Sequence, residues 1–115
     1  MEDRVIQKYV SVLKDYATSV FAAPCYCVIA YPTRCAVCDS ERPNVLALWL
    51  VTRDVAVLFR RSDGRLFAGA LYATCSTCHA RLGRAIAHAA EEKIRAQLDG
   101  ALRGSGETIL EEVVT

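Results

Sequence analysis

The residues in this chain best suited to chemistry are its cysteines. Four of the six fall into two Cys-x-x-Cys pairs, Cys35-Ala36-Val37-Cys38 and Cys75-Ser76-Thr77-Cys78. Two thiolates separated by two residues can grip one small tetrahedral cation, and two such pairs make a complete shell. Cys35, Cys38, Cys75 and Cys78 are therefore expected to hold one Zn2+. A four-thiolate zinc is coordinatively closed and has no position for an activated water, so its role would be structural.

Competing chemistries use the same residues. His79 follows Cys78 directly, and a Cys75/His79 pair at i and i+4 would leave Cys78 beside the ion rather than on it. Cys75-x-x-Cys78 at the start of a helix could instead be a thiol–disulfide redox pair, as thioredoxin-like proteins place a low-pKa thiol. All three prolines, Pro24, Pro32 and Pro43, precede Cys75. The cis-proline that follows the redox helix in those folds therefore has no counterpart here, and redox leaves Cys35 and Cys38 unexplained. Cys25 and Cys27, two apart on an expected strand, share a face. They either extend the metal chemistry or are inert core thiols. No Gly-rich phosphate loop follows a strand, and no Ser/His/Asp set can be placed. The expectation is a protein that is not an enzyme and takes no small-molecule substrate.

The elements that must position these residues are legible in part. At 115 residues, 53% of them hydrophobic and 23% charged, the chain is expected to form one domain over residues 1–103, with a flexible tail over 104–115. Ile6, Tyr9, Val10, Leu13, Tyr16, Ala17 and Val20 recur at helical spacing and predict a first helix over residues 3–21, which Pro24 forbids from continuing. Cys25 to Tyr31 reads as a strand ended by Pro32. Val45 to Val51, Val55 to Phe59 and Leu66 to Tyr72 read as three more strands, with turns at Thr52-Arg53-Asp54 and at Ser62-Asp63-Gly64-Arg65. Val45 to Val51 is apolar on both faces and needs cover on both, from the terminal helices or from a second copy of the chain. A last helix is expected from Cys75 to about Leu98, with Leu82, Ile86, Ala89, Ala90, Ile94 and Leu98 inward and His88 in solvent. The tail segment Thr108 to Val114 is either frayed or an added edge strand. The fold expected is α+β: an N-terminal helix, a β-meander of three to four antiparallel strands, and a C-terminal helix.

A knuckle with two cysteines, a β-hairpin, and a helix carrying two cysteines in its first turn resembles the treble-clef and zinc-ribbon group of zinc modules. The resemblance covers roughly residues 33–98. Asp39 stands where such knuckles often carry Gly, and Asp can adopt the left-handed conformation at some cost. Because treble-clef and zinc-ribbon modules often serve transcription or replication complexes, the resemblance implies an assembly or accessory subunit of a nucleic-acid-handling complex.

Charge is uneven although the net is only +1. Residues 45–88 carry six basic side chains against Asp54 and Asp63, while residues 89–115 carry three basic against six acidic. Arg60, Arg61, Arg65, Arg81 and Arg84 are the candidate nucleic-acid contacts. Aromatic residues are not interleaved with them, so the other reading is a protein–protein adaptor, working with a partner or as a homodimer, in which zinc is scaffolding. Tyr16 to Thr33 is free of charge but is broken by Pro24 and Pro32, so no membrane span is expected. Thiols kept as metal ligands and no leader-like start place the chain inside the cell, in cytoplasm or nucleus.

Overall fold

The computed structural model describes residues 3–21, 23–29, 34–102 and 110–114. Helix α1 spans Asp3–Val20 and buries the stripe Val10, Leu13 and Ala17, with Phe21 just beyond its end. Strand β1 is Cys25–Ile29 and strand β2 is Val45–Leu50. Helix α2 (Arg53–Leu58) leads to strand β3 (Leu66–Thr74). Helix α3 (Ser76–Leu82), a 3₁₀ turn at Gly83–Ala85 and helix α4 (Ile86–Leu102) follow. The backbone of Leu110–Val114 forms β4. The chain is thus a small mixed α+β fold.

The sheet order is β2-β3-β1-β4, which replaces the expected meander. β2 pairs antiparallel with β3, but β1 runs parallel to β3, and β4 pairs antiparallel with β1. β3 is the centre, and all nine of its residues are buried. Its neighbours in register share faces: Trp49 lies opposite Ala70 and Ala47 opposite Tyr72 on one side, and Leu48 opposite Leu71 and Leu50 opposite Gly69 on the other. Leu13 of α1 sits over Gly69 and covers the second face. The first face carries the rings of Tyr26, Phe67, Trp49 and Phe59. Arg95 of α4 lies over Phe59, so helices cover both faces.

The strand expected over Val55 to Phe59 is a helix. Thr52 in an extended conformation starts it, and Asp54 in its first turn suits the positive end of the peptide dipoles. The turn points Ala56 and Phe59 inward, three residues apart, and leaves Val57 and Leu58 in solvent. Tyr26 Oη donates to the Phe59 carbonyl at 2.5 Å and pins the end of α2 to the aromatic face. Packing has overridden the β-propensity of Val55 and Val57. The turn at Asp63-Gly64 does form, with Gly64 at φ 91°, but it joins α2 to β3 rather than two strands.

The helix expected from Cys75 to Leu98 is interrupted, because Gly83 takes φ 53° and turns the chain between α3 and α4. Of the expected tail, residues 104–109 and 115 lie outside the described residues, as do Ala30 to Thr33 of the expected first strand end. Among the described residues no helix is long and apolar enough to cross a membrane.

Candidate metal centre

Parallel pairing brings the cysteine pairs together. β1 and β3 run side by side in one direction, so each delivers its following segment to the same end of the sheet. After β1, the backbone of Cys35 bridges Ala73 in the same parallel sense, and Ala36 N–H donates to the Ala73 carbonyl at 2.7 Å. After β3, the chain passes straight into Cys75, the N-cap of α3.

The turn carrying Cys35 and Cys38 is closed by its own backbone. Asp39 N–H donates to the Cys35 carbonyl and Cys35 N–H to the Ser40 carbonyl, both at 2.9 Å. Asp39 takes φ 66°, the left-handed conformation that the sequence requires of it. A glycine would sit there without the Cβ penalty. Asp39→Gly is therefore expected to stabilise the metal-loaded protein by about 0.5–1 kcal/mol, read as a higher urea midpoint at unchanged slope. The lost Arg34–Asp39 ion pair at 3.2 Å is exposed and offsets little. An unchanged or lower midpoint would show that the Asp side chain has a role its exposure hides.

The four sulfur atoms of Cys35, Cys38, Cys75 and Cys78 all lie within 4.8 Å of one another. Cys35 Sγ to Cys78 Sγ is 3.7 Å and Cys38 Sγ to Cys75 Sγ is 3.6 Å. Both distances are far longer than the disulfide length of about 2.05 Å, and all six cysteines are free. A tetrahedral ion with bonds of about 2.3 Å to sulfur separates its ligands by about 3.8 Å. The cluster therefore could hold one such ion with little movement. Cys35, Cys75 and Cys78 are buried and Cys38 is exposed, so the shell opens to solvent at one corner.

The electrostatics show what the cluster lacks on its own. Burial works to raise the Cys35 thiol, but backbone N–H groups of Cys38, Val37 and Cys75 point at its sulfur and bring it down to about 6. Burial pushes Cys78 up to about 12, helped by hydrogen bonding to Cys75 and Cys38 and opposed by Arg81. The Cys35 thiolate therefore forms readily, whereas burial keeps the Cys78 thiol protonated. Cys78 N–H also donates to Cys75 Sγ at 3.5 Å, the usual geometry of a cap whose acceptor is sulfur.

The neighbours have roles that spacing did not announce. His79 is not in the cluster. Its Nε2 meets Thr74 Oγ1 at 2.8 Å and partners the one buried polar side chain at the end of β3. Lys93 reaches from α4 to donate to the Val37 carbonyl at 2.5 Å, tying the knuckle to the last helix. It had no local signal, since 56 residues separate the partners. Cys25 and Cys27 are buried in β1 outside the cluster, and Cys25 Sγ donates to the Ala23 carbonyl. Burial raises the Cys25 thiol, as expected of a core cysteine. His88 is exposed and pairs with Glu92 at 3.1 Å.

The five candidate arginines fall on two sides of β3 in the chain. Arg60, Arg61 and Arg65 precede β3, while Arg81 and Arg84 follow it. Arg61 lies over the Tyr26 ring and Arg65 pairs with Asp63 at 2.8 Å. Arg81, itself exposed, acts on Cys78 to lower its thiol. Arg60 and Arg84 are exposed. No family model, no curated protein and no solved structure matches the chain.

Proposed function

We propose that this chain is a non-enzymatic, zinc-clamped assembly subunit that works through protein contacts. Zn2+ held by Cys35, Cys38, Cys75 and Cys78 would fix the knuckle against α3 in a treble-clef-like arrangement. The observation that carries this reading is the sulfur shell itself, four thiols at tetrahedral spacing with no fifth protein ligand among the described residues. A closed thiolate shell suits scaffolding and leaves no site for a substrate. The protein-contact part rests on exposed apolar side chains. Val5, Val12 and Val20 of α1, Val45 and Leu50 of β2, and Val57 and Leu58 of α2 all stand on β2 or on helices flanking it. Six free thiols fit a reducing, intracellular setting.

A place in a nucleic-acid-handling complex is the narrower form of the proposal. Only Arg60 and Arg84 of the five candidates stand exposed without a partner described above, so any contact with nucleic acid is weak and salt-sensitive. Metal analysis of the purified chain is expected to find one zinc per chain, and Co2+ replacement is expected to give the absorption of a tetrahedral thiolate site. A metal-free protein with a Cys75–Cys78 disulfide would overturn the scheme in favour of redox chemistry. Binding to mixed DNA or RNA is expected to be no tighter than about 10 µM at physiological salt. Binding below about 1 µM that weakens on Arg60→Ala and Arg84→Ala would restore nucleic acid as the main partner.

A further inference from the structure

β2 is an edge strand, and its outer side is built for pairing. Val51 N–H donates to the Ala68 carbonyl in the same register that sets Trp49 opposite Ala70, Ala47 opposite Tyr72 and Val45 opposite Thr74. The odd-numbered residues of β2 therefore direct their backbone groups to β3. Leu46, Leu48 and Leu50 direct theirs outward. Edge strands are commonly blunted by charge, proline or a bulge. Val45-Leu46-Ala47-Leu48-Trp49-Leu50 has no charge or proline, and its register with β3 is unbroken. β4, the other outermost strand, carries Glu111 and Glu112. Burial marks the same asymmetry: every residue of β3 is buried and none of β2 is.

α1 extends this edge into a surface. Beside its core stripe runs a second apolar stripe, Val5, Tyr9, Val12, Tyr16 and Val20, at steps of three and four. Tyr16 Oη donates to the Val51 carbonyl at 2.6 Å, so this stripe turns toward the end of β2. Val12 is 49% exposed, Val20 50% and Leu50 41%, although all are large and apolar. A strand edge about 20 Å long buries less than the roughly 800 Å² per partner of a stable dimer. The helix stripe supplies the remainder.

We propose that the occupant is a second copy of this chain, with the β2 strands paired antiparallel about a two-fold axis through Leu48. In this register Leu48 faces Leu48 and Leu46 faces Leu50, so each outward backbone group meets another outward group. The strand pairing stops at Asn44 and Thr52, because Asn44 N–H is taken by the Thr74 carbonyl and the Thr52 carbonyl by Ala56 N–H. Beyond each end, the exposed Arg42 of one copy falls on the side of the exposed Asp54 at the start of the other's α2, which gives the pairing charge complementarity. The two sheets become one, and the α1 stripes pack across the axis on the same face. A self-complementary patch of this kind is what two-fold symmetry requires. The inference rests on the assembly reading above and names its partner.

The test is sedimentation of the full metal-loaded chain, joined to amide exchange resolved by residue. Wild type is expected to sediment as a dimer, with Leu46, Leu48 and Leu50 amides protected and their protection lost on dilution. Leu50→Lys puts a charge on the edge, and Val12→Glu puts one on the α1 stripe. Each is expected to weaken self-association by about 100-fold while circular dichroism and zinc content stay at wild-type values. A monomer at 100-fold the working concentration, or a dimer indifferent to both substitutions, overturns the proposal. Because zinc content is read in the same samples, failure of the dimer is distinguishable from failure of the metal scheme.

Discussion

Chelating the metal is expected to abolish the cooperative melting transition of this protein, and Cys78→Ser is expected to do the same without chelator. A structural zinc held by thiolates contributes about 10–16 kcal/mol at neutral pH, whereas a domain of this size has a total stability of about 5–15 kcal/mol. An ion held by the four sulfurs would thus be worth as much as the whole margin. Among the four proposed ligands, Cys78 is the one whose loss is expected to weigh most. It is buried, and burial pushes its thiol up to about 12 against the opposing effect of Arg81. Serine keeps the shape but does not ionise, which leaves three thiolates and an open corner.

The core also loses its tie across 36 residues between Cys38 and Cys75, so the closure entropy of that segment returns to favour unfolding. Circular dichroism melts with and without chelator measure this directly. Cys25→Ala is the control, since it removes a buried thiol outside the cluster and should cost about 1–2 kcal/mol with full zinc content. Equal melting temperatures in chelator and in zinc would mean that the hydrophobic core alone holds the fold.

Gly69→Ala is expected to destabilise the metal-loaded protein by about 3 kcal/mol or more, a loss of roughly 10–15 °C in Tm. The register of β1 with β3 shifts between Tyr26 and Cys27, so Ala68 is the extra residue of a bulge and Gly69 follows it at φ 151°. That backbone conformation is rarely adopted by a residue with a side chain. A Cβ there would also run into the Trp49 carbonyl oxygen and come within 2.9 Å of Leu13 Cδ1. The first obstacle is backbone of a paired strand, and the second is a fully buried side chain of α1, so neither yields cheaply. Gly64→Ala is the comparison: φ is also positive there, at 91°, but nothing lies within 4 Å. It should cost about 1 kcal/mol. Thermal melts of the two variants side by side distinguish the crowded strand from the open turn, and equal losses would remove the close approach of α1 as the cause.

The four-cysteine cluster could be read before any fold was known because the spacing within each pair is local. Two residues between thiols fix how each pair can grip an ion, and Asp39 could be named as the left-handed residue because few side chains tolerate that geometry. The first helix was legible for the same reason, since Leu13 and Ala17 repeat at the helical period. Residues 55–59 misled because Val55, Val57 and Phe59 are β-formers in an unbroken apolar run, while the inward pair that matters, Ala56 and Phe59, is set by what Phe67 and Tyr26 offer across the sheet.

By itself, then, the order of residues determined which four atoms could share an ion and which stripe of the first helix turns inward. Both rest on short-range spacing, within each thiol pair and along one helix face, although Val20 of the expected inward stripe is exposed. Tertiary structure alone decided that β1 and β3 run parallel, and with it that both thiol pairs emerge at one end of the sheet. Strand direction depends on hydrogen bonds between segments some 40 residues apart, and no local pattern records which partner a strand will choose.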